Sequence, residues 1–151
     1  MSLLSCASGA SIWRGYDYFE QKKVHDLEVK SDTQYMAAVD GSGNNRYGVM
    51  IDIAHPRKSM CNCPHADGKR IICKHMVAVF FTVFPDEAQK FYDEAMAYQE
   101  EEEHRQEELE DKLIRYVSKM KKVELQQKLL ELLFDGPEWQ FERFLEENWI
   151  E

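Results

Sequence analysis

The chain has 151 residues, a formal charge of −9 and a 31% charged, 44% hydrophobic composition. These values fit one domain, or one domain with a helical appendage, and exclude global disorder. The longest apolar stretch, Met76 to Phe84, is interrupted by Thr82 and is far short of the roughly 20 residues of a membrane span.

No basic-then-apolar leader opens the sequence, so the expected location is cytoplasmic, and Met1-Ser2-Leu3 reads as vector-derived. Residues 11–21 are consistent with a short helix capped by Ser11 and carrying Trp13, Tyr16 and Phe19, although Gly15 weakens it. Three alternating segments follow: His25, Leu27 and Val29; Tyr35, Ala37 and Val39; and Tyr47, Val49, Ile51 and Ile53. The turn Gly41-Ser42-Gly43-Asn44-Asn45 separates the last two, and an antiparallel three-stranded meander is expected.

Next comes the run from Cys61 to His75. Cys61 and Cys63 are two residues apart, so in an extended segment both face one side while Asn62 faces away. Pro64 and Gly68 let the chain turn back. Cys73 and His75 have the same spacing, which in a helix would separate them by about 200°. Cys73 is therefore expected just before a helix, with His75 in its first turn. Three thiolates and one imidazole form one of the closed tetrahedral donor sets that zinc prefers. His65 is a fifth donor competing for four positions. A closed shell leaves no coordination position for water, and the nearest acid, Asp67, reads as a turn former, so no catalysis is expected. Cys6 reads as a mobile, unligated thiol; His25, His55 and His104 read as ordinary histidines.

Helical spacing of Met76, Phe80, Val83 and Phe84, with Val77, Val79 and Phe81 also apolar, predicts a helix buried on most sides, between the sheet and the later helices. Pro85-Asp86 restarts the chain. Residues 86–119 read as a long helix with Glu108–Lys112 and Asp111–Arg115 pairs and a solvated Glu100–Glu103 run. A further helix carries Leu125, Leu129, Leu132 and Leu133. Asp135-Gly136-Pro137 ends it, with the proline in the first turn of a last helix bearing Trp139, Phe141, Phe144, Leu145 and Trp149. These aromatics read first as core and second as anchors for a protein partner. Charge divides sharply: residues 1–84 carry a net +2 and residues 85–151 a net −11.

Cys-x-Cys, nine residues, then Cys-x-His resembles the SWIM zinc finger family. The segment Arg14-Gly15-Tyr16-Asp17-Tyr18-Phe19 and the strands after it also resemble the region preceding the finger in bacterial members. The resemblance spans residues 11–84 and implies one structural zinc on Cys61, Cys63, Cys73 and His75. It also implies a hairpin-and-helix unit that binds DNA or protein; in the family this unit stands beside helicase-like ATPases, transposase domains and ubiquitin-ligase modules.

The expectation is an α+β chain: a SWIM-type zinc-finger domain over 11–84, then an acidic α-helical segment over 85–151, packed on or extending from the first. The expected role is non-catalytic binding of nucleic acid or protein, with no membrane and no small-molecule substrate. Arg57, Lys58, Lys69, Arg70 and Lys74 are the candidate nucleic-acid contacts; the same cations also offset a zinc–thiolate site of formal charge −1. The alternative is a protein adaptor whose zinc is purely structural.

Overall fold

A computed structural model describes residues 2–148. The architecture is α+β, in the order α1 Gly9–Glu20, β1 Val24–Ser31, β2 Gln34–Asp40, β3 Arg46–Asp52, β4 Met60–Cys61, α2 Lys74–Val83, α3 Pro85–Val117, α4 Lys122–Asp135 and α5 Glu138–Glu147. Single 3-10 turns occupy Leu4–Cys6 and Pro56–Lys58. The chain forms two compact units, Met1–Met96 and Ala97–Glu151. No helix among the described residues is long and apolar enough to cross a membrane.

The strands pair antiparallel in the order β1-β2-β3-β4. The sheet thus has four strands where three were expected. The fourth, Met60–Cys61, pairs with Val49 and Met50 and is too short to show an alternating pattern. Tyr35, Ala37 and Val39 face inward with Tyr47, Val49 and Ile51, as their alternation predicts. β1 departs from expectation. Asp26 takes a positive φ of 51° and the register slips between His25 and Glu28, a bulge that breaks the alternation. Val29, expected on the half-buried face, is 70% exposed.

α2 fills the core. Every residue from His75 to Phe81 is buried, and Phe81, Met76, Val77 and Val79 are among the most enclosed side chains of the chain. Each such apolar burial stabilises the fold by about 1.5–3 kcal/mol relative to exposure. One side of α2 lies on the sheet; α1 covers the other, a role the sequence reading gave to the later helices. Gly15 makes this crossing possible. A Cβ there would lie 2.5 Å from Val77 Cβ and 2.9 Å from the Lys74 carbonyl oxygen. The residue that weakens α1 as a helix is therefore what lets it approach α2.

The cap of α1 is Ser8, whose Oγ accepts from the Ser11 amide at 3.2 Å, so the helix starts earlier than Ser11 suggested. The N-terminal segment belongs to the core as well. Leu3 is 1% exposed, Cys6 packs half-buried against the core, and Ala7 bridges to Ile72. Cys6 is thus held in place, contrary to the mobile thiol expected, and Leu3 is integral to the packing. At the start of α3, Ala88 is buried and Phe91 packs on the same core.

In the second unit, α3 runs unbroken through its glutamate-rich middle. Glu108–Lys112 at 3.2 Å and Asp111–Arg115 at 3.4 Å are present as expected. The Lys121 amide donates to Glu124 Oε2 at 2.8 Å where α4 begins. Pro137 precedes α5 as its cap residue instead of opening its first turn. Trp139 is 61% exposed and Phe141 and Phe144 are half-buried, so these aromatics do not form the closed core expected of them. Trp149 lies outside the described residues.

Candidate metal centre

Four donors from three places in the chain converge. Cys61 sits on β4, paired with Val49, and so faces the inner side of the sheet. Asn62 turns the other way. Its amide donates to the Gly48 carbonyl at 3.3 Å and its Oδ1 accepts from the Gly48 amide at 2.9 Å, tying the short strand to β3. Cys63 opens a tight turn, in which its carbonyl accepts from the amides of Ala66 at 3.0 Å and Asp67 at 2.9 Å. Gly68, at φ 66°, completes the reversal.

Cys73 is the residue before α2, with extended φ and ψ of −93° and 168°, and His75 is in the first turn. The helix boundary between them solves the geometric problem that a two-residue spacing poses inside a helix. All four residues are buried, and their ligand atoms lie within 4.8 Å of one another. His65 is exposed and stands outside this cluster. The competition is resolved in favour of His75.

The donor set fits zinc. A tetrahedral ion with Zn–S near 2.3 Å and Zn–N near 2.0 Å places sulfur and nitrogen about 3.5 Å apart. His75 Nδ1 lies 3.7 Å from Cys61 Sγ and 3.9 Å from Cys73 Sγ. Among the described residues His75 Nε2 is buried without a hydrogen-bond partner, so the imidazole is oriented by the thiol cluster and by packing. Its ring is flanked by Tyr47 at 4.8 Å and Tyr18 at 5.4 Å. The hydrogen bond with Cys73, and then burial, push the Cys61 thiol up. The same Cys61 contact, aided by His75 and by the amides of Met76 and His75, pulls the Cys73 thiol down. A thiolate beside the helix N-terminus is what a metal needs there.

The cations separate into two groups. Arg57 and Lys58, in the turn before β4, and Lys69 and Arg70, after Gly68, line one open groove. Lys74 does not join them. Its Nζ donates to Tyr18 Oη at 2.6 Å and lies 4.3 Å from the Tyr18 ring centre, with Lys23 Nζ at 4.2 Å. Sequence reasoning missed Tyr18 and Tyr47 as supports of His75. The inward parity of Tyr47 with Val49 was a usable signal; nothing local marks Tyr18. It also missed the partner of His25, whose Nε2 lies 2.7 Å from Asp40 Oδ2, while Arg46 Nε donates to Asp40 Oδ1 at 2.9 Å.

No curated protein and no solved structure matches the chain. The family model of the SWIM zinc finger matches residues 47–84, a span that runs from β3 through the end of α2 and holds all four donors. Residues 47–84 of this chain are thus similar to the SWIM zinc finger, and Cys61, Cys63, Cys73 and His75 within them form the donor set of one structural zinc.

Proposed function

We propose that the chain is a non-catalytic interaction module in which a structural zinc braces a cationic face for an anionic macromolecule, nucleic acid or an acidic protein. One observation carries this reading. Arg57, Lys58, Lys69 and Arg70 line the same groove, and none of them has an acidic partner within 4.0 Å among the described residues. Four unpaired cations held by loops on either side of β4 favour an anionic ligand over burial in a core. All four protein donors are available to close the metal shell, which supports a structural role over water activation.

Titration of the zinc-loaded full chain with duplex and single-stranded oligonucleotides at several salt concentrations tests the nucleic-acid form. Four phosphate contacts give a log–log salt slope of about −3.6 for a duplex and about −2.8 for a single strand. Lys69→Glu/Arg70→Glu should at least halve that slope, since only Arg57 and Lys58 remain. Absence of such binding leaves the adaptor reading, which the exposed Leu109, Leu113, Leu132 and Phe134 of the acidic helices also favour.

A further inference from the structure

The two faces of the sheet are unequal. α2 covers the inner face; the outer one carries a row of methionines across three neighbouring strands. Met36 on β2 is directly opposite Met50 on β3, which is directly opposite Met60 on β4. Met36 is 42% exposed and Met60 62% exposed, and the three line the same groove as the unpaired cations. Beside the row, Ala38 pairs with Gly48, so small residues leave the groove open along the strands. Its volume is about 700 Å³. Asp67 is the one acid on its wall, against four cations. At the far end of the row Glu28, opposite Met36, is held by Lys30.

We infer that this groove is a docking site for an acidic amphipathic helix of a partner protein, its apolar side on Met36, Met50 and Met60 and its carboxylates against Arg57, Lys58, Lys69 and Arg70. The inference rests on the anionic-ligand reading above and names the ligand class. Four considerations select this occupant. Strands lie about 4.8 Å apart, so the methionine row is roughly 10 Å across, the width of one helix. Methionine is flexible and polarizable, suited to aliphatic and aromatic side chains at adaptable docking surfaces. A duplex presents phosphates to a face of this kind and leaves the methionines with no apolar partner. An extended peptide adding to the sheet would need a longer edge than the two-residue β4.

The test uses the zinc-loaded full chain and three probes. The first is a helical peptide of about 18 residues with glutamates on one face and leucine and phenylalanine on the other. The second is its lysine-for-glutamate counterpart, and the third a single strand and a duplex of about 20 nucleotides. The acidic peptide should bind and the basic one should not. Met36→Gln/Met60→Gln should weaken the acidic peptide at least about tenfold, and so should Lys69→Glu/Arg70→Glu. Met60→Leu should retain binding. These substitutions are at exposed positions, and unchanged zinc content and circular dichroism show that each variant is folded.

Binding of the acidic peptide that ignores the methionine substitutions would overturn the inference, because charge alone would then account for it. Patch-dependent binding of an oligonucleotide without the peptide would overturn the inference and keep the anionic-ligand reading. Failure of every anionic probe would overturn both.

Discussion

Substituting Gly15 by alanine separates two physical effects of opposite sign. In an open helix the change stabilises by about 1 kcal/mol, because alanine loses less backbone freedom on folding. Here the new Cβ would lie 2.5 Å from both Val77 Cβ and Val77 Cγ1 and 2.9 Å from the Lys74 carbonyl oxygen. Carbon contacts are comfortable at about 3.5–4.0 Å, so α1 and α2 must part by about 1 Å. A rotamer change at Val77 cannot relieve this, since its Cβ moves only with the backbone. Overpacking of this kind costs about 1–3 kcal/mol, and the helix gain offsets only part of it. Because Lys74 and His75 form the first turn of α2, the strain falls on the zinc site too. Urea unfolding of the zinc-loaded chain should show Gly15→Ala destabilised by up to about 2 kcal/mol, and chelator competition should show weaker zinc retention. Gly9→Ala, where nothing lies within 4 Å of the added Cβ, is the control and should be neutral or slightly stabilising. A Gly15→Ala protein more stable than the parent by about 1 kcal/mol would refute the close crossing.

Removing zinc with a chelator should open residues 55–72 to proteolysis while α2 stays protected, because the loop between Cys61 and Cys73 has little apolar burial of its own; an unchanged cleavage pattern would contradict this. Cys73→Ser keeps a small polar residue at the cap of α2 but removes a thiolate, so bound zinc by elemental analysis should fall sharply while helix content changes little. Asp52 is buried, accepting from Gln34 Nε2 at 3.0 Å and from the His55 amide at 2.8 Å, and these donors hold its carboxyl below the usual carboxylate range. Its contribution is therefore complete above the unfolded value of about 3.9 and is lost as pH falls through the lower folded value. The urea-midpoint difference between the parent and Asp52→Asn should shrink below about pH 4; a difference that grows on acidification would show the sign to be wrong.

What the sequence disclosed follows from how local each constraint is. The four zinc donors were legible because coordination chemistry acts through a short spacing, and only the choice between His65 and His75 needed the turn at Gly68 in three dimensions. α2 was legible because apolar residues on every side leave a helix no solvent face. Its neighbour was not: Gly15 looks like a helix breaker until Val77 is seen across from it. Nor was β4, whose two residues carry no period and are fixed by the Asn62 bonds to Gly48. Leu3 and Cys6 were misread for a related reason, since their burial depends on the contact of Ala7 with Ile72, far along the chain. Net charge pointed to a cationic first half but could not show that Lys74 is spent on Tyr18 while the other four cations share one groove.

These features meet at one place. The N-terminus of α2 supplies two of the metal donors, and the body of the same helix is the core of the first unit. Zinc therefore has no need to create the fold, as it does in isolated finger peptides. It has to fix the segment from Pro56 to Arg70, which holds Cys61 and Cys63, against a helix that packing already holds. That segment carries both rims of the groove, with Lys69 and Arg70 following the turn at Gly68 and Arg57 and Lys58 preceding β4. Metal loss should then disperse the cations before it melts the core, so ligand binding is expected to fail at chelator concentrations that leave α2 folded. On the proposed reading, zinc would act on binding through the placement of charge, while the apolar packing of α2 acts on stability.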